Sequence, residues 1–188
     1  MSAEVWAIIV VIAIVVVIAA LVAFLVLPVL RRQRLRRKFG PEYDRTVEER
    51  DDRKAAEREL AERERRHAKL RLRELSDDEK RVYNTRWVEV QERFIDDPAG
   101  ALTEADRLVT TIMSERGYPT ENYEQQIADL SVEHAEPLGH YRAAHEIVTR
   151  PTGTTVSTED RRTAIVHYRE LFQDLVGVSG QENKDVKS

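Results

Sequence analysis

Apolar residues fill every position from Val5 to Leu30, and the next eight residues include six that are basic. A helix of these 26 residues is about 39 Å long, enough to cross a hydrocarbon core about 30 Å thick with some tilt. Segment 1–30 is therefore expected to be an N-terminal segment with a single transmembrane helix. A secretory leader has a basic start, a shorter apolar stretch and a small-residue cleavage site. Here the start is Met-Ser-Ala-Glu and Arg31 follows the apolar run directly, which favours an uncleaved anchor. Trp6 suits the outer interface belt, and Pro28 reads as an exit bend. Ala19 and Ala23 form a small-xxx-small pair through which two spans could approach.

Arg31, Arg32, Arg34, Arg36, Arg37 and Lys38 resist translocation, so the N-terminus is expected outside and everything beyond on the cytoplasmic side of the cell membrane. The same cations meet anionic lipid headgroups. They begin a basic juxtamembrane linker, 31–46, in which Phe39-Gly40-Pro41 breaks the membrane helix.

From 47 to 75 the pattern is polar on nearly every side, rich in Glu, Arg, Ala, Lys and Leu. Glu49–Arg53, Glu59–Arg63 and Glu62–Arg66 are acid-before-base pairs four apart. Leu60, Leu70, Leu72 and Leu75 make no sustained heptad. The expectation is a solvated, charged helical stalk, with a short coiled coil as the alternative.

An amphipathic pattern returns in 76–177. Ser76 and Glu79 form a capping box ahead of a helix whose Tyr83, Trp87, Val90 and Phe94 share a face. Asp96-Asp97-Pro98 ends it and opens the next, in which Ala101, Leu102, Ala105, Leu108, Val109, Ile112 and Met113 face inward and Gly117 stops the helix. A short helix is expected from Thr120 to Leu130 and another from Glu136 to Thr149. A loop follows at 150–155, and a last helix capped at Ser157 runs to Val176. Residues 178–188 read as a disordered tail. The fold class is all-α: a transmembrane helix, a charged helical stalk and a small C-terminal helical bundle of four to five helices.

Net charge is −4, but residues 76–177 alone hold 20 acidic and 11 basic side chains. Such a body repels phosphate backbones, which argues against nucleic-acid binding. Absence of cysteine removes disulfides, thiolate nucleophiles and Cys-based metal sites.

Catalytic constellations are missing from the pattern. No Gly-rich phosphate loop or nucleophile-elbow serine is present. Among the histidines, His140 and His145 lie off one another's face, and Glu136 with His140 supplies two ligands at most. Glu64-Arg65-Arg66-His67 has the spacing of a di-iron helix pair without the second such pair that a cluster needs. No metal or cofactor site is expected, and the chain is expected not to be an enzyme. One pattern stands out: His140-Tyr141-Arg142 and His167-Tyr168-Arg169 repeat a tripeptide in two helices. With each Tyr inward, His140, Arg142, His167 and Arg169 would border a surface for an acidic or phosphorylated protein partner.

The segments FGPEYDRTVEE, ERELAERERRHAKL, RWVEVQERFIDDP, EADRLVTTIMSERGYP, YEQQIADLSVEHAE, HYRAAHEI and VHYRELF resemble a group of uncharacterised actinobacterial single-pass or secreted proteins with a helical C-terminal domain. The resemblance spans Phe39 to Leu175. It implies that stalk and bundle form one recurrent unit, and it implies no activity, ligand or catalytic residue.

The function expected is that of a membrane-anchored, non-catalytic protein–protein interaction module. Two alternatives stand beside it. One is a ligand- or metal-sensing domain or enzyme with a site between bundle helices, lined by His140 and His167. The other is a self-assembling, homo-oligomeric protein that organises the envelope.

Overall fold

A computed structural model describes residues 3–150 and 156–177; side-chain surroundings are described from Ile12 onward within these ranges, Ala19 and Ala23 excepted. The expectations placed on Trp6, on the Ala19–Ala23 pair, on residues 151–155 of the loop and on the tail 178–188 lie outside the described residues. Everything described is helix, turn or irregular chain, without a strand. The helices are α1 (Ala3–Phe39), α2 (Pro41–Arg50), α3 (Arg53–His67), α4 (Asp77–Asp96), α5 (Pro98–Arg116), α6 (Tyr123–Leu130), α7 (Ala135–Thr149) and α8 (Thr158–Val176).

Helix α1 is long and apolar enough to cross a membrane, with an 18-residue stretch of mean hydropathy 3.2. Pro28 does not end it. The helix continues through the basic residues to Phe39, because Leu, Gln, Arg and Lys are good helix formers and one lost backbone bond does not stop them. The break comes at Gly40, whose φ of +48° suits glycine, with Pro41 opening α2. The expected linker 31–46 is thus almost entirely helical.

The stalk expected over 47–75 differs more. It is divided at Asp51, which takes a left-handed conformation (φ +51°), and at Asp52, whose carboxylate accepts from the Lys54 amide and caps α3. Acidic residues that would be neutral within a helix serve here as a turn and a cap. The Glu49–Arg53 pair cannot form across this break, and Glu49 bonds Arg45 instead at 2.7 Å. Glu59–Arg63 does form, at 2.5 Å.

Helix α3 folds back beside α2 and is not solvated all round. Leu60 joins Leu35, Phe39, Tyr43 and Val132 in a small apolar core, with Val47 packed against it. The partners of Leu60 therefore come from the end of α1, from α2 and from the α6–α7 turn. Residues 69–75 then run as irregular chain over the main core, where Leu75 is buried and Leu70 and Leu72 are partly covered. This passage is tight: a Cβ on Gly117 would lie 2.6 Å from the Arg71 carbonyl oxygen, and Gly117 has φ +94°. Glycine is required there twice over, for space and for backbone conformation.

The main core is shared by α4, α5, α6, α7 and α8. Its helices begin where the caps predict. Ser76 with Glu79, and Ser157 with Asp160, form capping boxes, and Asp97 accepts from the Gly100 amide. Exposed Glu79, held by Arg73 and then by Ser76, is lowered to about 2. Helix α6 starts at Tyr123 rather than Thr120, because Asn122 provides the cap. Within the core Trp87 stacks on Phe172 at 4.8 Å, and Tyr141 meets Tyr168 edge-on at 5.8 Å.

One buried ion pair clamps α2 onto α7. Arg142 donates both terminal nitrogens to the Glu42 carboxylate, which is almost fully enclosed. Replacing Arg142 by Met should cost about 3–5 kcal/mol, since Glu42 would remain buried without a counter-charge. Adding Glu42→Leu should restore most of that loss. Chemical denaturation of the detergent-purified protein measures both; equal stability of the two variants would refute the clamp.

Candidate functional site

Edge-on packing of Tyr141 against Tyr168 fixes the register of α7 on α8, and it brings the preceding residue of each tripeptide to a common rim. The His140 and His167 rings lie 4.5 Å apart between centroids, with their Nδ1 atoms at 2.7 Å. Glu170, one turn beyond His167 on α8, places a carboxylate oxygen 3.2 Å from His140 Nδ1. His167 is held below the ordinary histidine range by burial and then by the nearby His140. The rim is open: His140 and Glu170 have side chains 49% and 44% exposed.

Arg142 and Arg169 do not join this rim. Arg142 is committed to Glu42 inside the α2–α7 contact. Arg169 is exposed and borders a shallow hollow of about 140 Å³ between α4 and α8, lined by Trp87, Gln91, Phe94, Ile165 and Val166. Val88 and Ile95 lie on the same helix α4 and are exposed, Ile95 at 80%. Of the four residues expected on one partner-binding surface, the structure brings two together, seals the third and sets the fourth at another hollow.

Two further polar clusters have partners inside the fold. Asp106 accepts from the Tyr168 hydroxyl at 2.9 Å and contacts His145 Nδ1 at 3.0 Å, while Tyr123 stacks on His145 at 4.1 Å. Burial first, with Asp106 beside it, pushes the Tyr168 hydroxyl well above the tyrosine range. A second chain of groups joins Tyr118, His134 and Asp174: Tyr118 Oη to His134 Nε2 is 3.1 Å, and His134 Nδ1 to Asp174 is 2.5 Å. The Tyr118 hydroxyl also lies 3.3 Å from a Glu133 carboxylate oxygen, to which it can donate. Tyr118 and His134 are both buried, and burial followed by Glu133 keeps the tyrosine proton firmly bound. The arrangement ties the turn after α5 to the start of α7 and the end of α8, and offers a substrate no exposed nucleophile.

The basic rim of α1 is partly absorbed by the domain. Arg34 and Lys38 both bond Glu64, at 2.5 and 2.9 Å, and Arg36 bonds Asp44 at 3.2 Å. Lys38 first among them holds Glu64 below the usual carboxylate range. Arg31 instead lines an open hollow of about 500 Å³ with Leu27, Pro28, Asp52, Lys54, Glu57 and Arg58, where the α2–α3 turn meets the end of the apolar run. That turn brings two further cations, Lys54 and Arg58, beside the end of the apolar run.

Glu170 is the rim residue that spacing analysis passed over. Its signal was the His-x-x-Glu spacing from His167, visible only once His167 is paired with His140 rather than with residues of its own helix. No local signal links Glu42 to Arg142 across 100 positions. Comparison with family models, curated proteins and solved structures finds no match to this chain.

Burial also holds His67 below its ordinary range, against the opposing pull of Glu133 and Asp129 and with Lys38 and His134 nearby. Its Nε2 has no hydrogen-bond partner, and the nearest carboxylate oxygen, of Glu133, is 3.7 Å away. A depressed histidine makes the unfolded chain take up its proton first, so stability falls as pH drops below about 6.5 and through the lower folded value. Thermal unfolding should therefore occur at lower temperature at pH 5.5 than at pH 7.5. His67→Gln should flatten that dependence; an unchanged slope would remove His67 as its source.

Proposed function

We propose that this chain is a single-pass membrane protein, N-terminus outside, whose non-catalytic cytoplasmic helical domain docks a protein partner close to the membrane surface. The observation that carries this reading is the continuity of α1 into the domain. The helix leaves the apolar run without a loop, and Leu35 and Phe39 near its end are buried in the core that also holds Tyr43 and Leu60. A domain joined in this way is held at a fixed height and orientation, which suits presentation of a surface rather than free reach. The topology follows from the cluster Arg31–Lys38. Recurrence of the same unit in actinobacterial membrane proteins belongs to the same proposal and rests on the sequence segments given above.

The docking face is the α4–α8 side. Ile95, Val88 and Val166 are exposed there beside the Trp87–Phe94 hollow, and Arg169 supplies a cation at its edge. A partner helix with one apolar face and a carboxylate set to meet Arg169 fits that chemistry. The arginines of the two tripeptides thus serve two different faces.

Placing a photo-crosslinking residue at Ile95 in the full-length protein, in native membranes, tests this reading. A single heterologous adduct that Arg169→Glu reduces several-fold is the expected result. Adducts formed only with a second copy would replace docking by self-assembly, and the absence of any specific adduct would overturn the docking face.

A further inference from the structure

The buried clusters around Asp106 and around His134 have their polar atoms engaged within the fold, and the carboxylates beside Arg31 are also occupied, Asp52 as a cap and Glu57 by the Tyr43 hydroxyl. The α7–α8 rim differs, because its donors face one another across an opening to solvent. We propose that His140, His167 and Glu170 form a three-ligand site for a borderline divalent transition-metal ion, Zn²⁺ above all, with a fourth position open to water or to a side chain of a partner.

The geometry suits such an ion. One donor atom from each residue lies within 4.8 Å of the other two. With bonds of about 2.0–2.2 Å, donors around a tetrahedral zinc are about 3.3 Å apart. The His140–Glu170 separation of 3.2 Å already has that value, the histidine nitrogens at 2.7 Å lie inside it, and the third separation is within 4.8 Å, so side-chain rotation at the rim brings the three donors to an ion. Two imidazoles with a carboxylate select Zn²⁺ and its transition-metal neighbours over Mg²⁺ and Ca²⁺, which prefer oxygen.

The two imidazole Nδ1 atoms face one another across the rim at 2.7 Å. The scaffold is rigid where it needs to be: Tyr141 and Tyr168, each adjacent in sequence to one histidine, are fully buried against each other. The exposed rim lets an ion enter without opening the fold. Three protein ligands leave one coordination position open, unlike the closed four-ligand set of a structural zinc.

The inference stands independently of the docking reading, since it concerns the opposite residues of the two tripeptides. Its test is calorimetric titration of Zn²⁺ into the untagged full-length protein in detergent, with Co²⁺ absorption as a second readout. One ion should bind per chain, protons should be released, and Co²⁺ should give the intense visible bands of a tetrahedral site. His140→Ala, an exposed position that the fold does not need, and Glu170→Gln should each weaken binding at least about tenfold, the scale reached when metal-site partners are lost. Glu136→Gln, exposed on α7 and outside the set, should leave affinity unchanged. No saturable binding, or binding that His140→Ala leaves intact, would overturn the site, as would an equal loss in Glu136→Gln.

Discussion

The contact between Glu42 and Arg142 decides where helices α2 and α3 lie on the rest of the domain. Helices α2 and α3 carry too few apolar side chains to form a core alone, and their shared cluster is five residues with one more packed against it. A core that small would not hold two highly charged helices against their own solvation. The bidentate ion pair adds a directional constraint that apolar contact lacks, since a planar guanidinium and a carboxylate meet in one orientation. Burying the pair is costly for both partners, and its value lies in choosing one placement of α2 on α7 rather than in net stabilisation. Once α2 is placed, α3 follows through Leu60 and through Arg63, which reaches Ser131 at 3.4 Å.

That constraint has a consequence at the end of the apolar run. Because Glu64 on α3 takes both Arg34 and Lys38, the folded-back hairpin binds the very cations that follow the apolar run. With Arg36 on Asp44, half of the basic cluster is engaged by the domain, and the turn at Asp51–Asp52 brings Lys54 and Arg58 near Leu27 in return. Positive charge at the end of the apolar run is distributed over α1 and α3 instead of residing in one linear segment. A chain arranged in this way couples any tilt of α1 to the whole domain, because Leu35 and Phe39 cannot move without disturbing Tyr43 and Leu60.

What the sequence made legible follows from how local each determinant is. The helices from Asp77 to Val176 were readable because their signals lie within one turn: Ser76 to Glu79, Asp97 beside Pro98, Gly117 at the end of α5. The apolar run of α1 was readable for the same reason. The hairpin was not, because Asp51 and Asp52 look like ordinary members of a charged helix until their backbone is seen, and because Leu60 finds its partners outside the segment in which its spacing was judged. A helix polar on most faces is solvated only if nothing complementary is brought to it; here Glu42, Glu64 and Arg63 all have partners far away in sequence.

The repeated tripeptide shows the same division between local and distant information. Its tyrosines were legible as core positions, since a residue between two polar neighbours on an amphipathic helix has only one place to go. The fate of the flanking residues depends on what each helix meets. Helix α7 faces α2 on its Arg142 side, so that arginine is consumed by Glu42, whereas α8 faces α4 and leaves Arg169 in solvent. The histidines share a rim because the two tyrosines pack against one another and carry their predecessors along. Identical sequence thus yields one buried clamp, one exposed cation and one pair of facing imidazoles, and the difference comes entirely from the neighbours that the tertiary fold supplies.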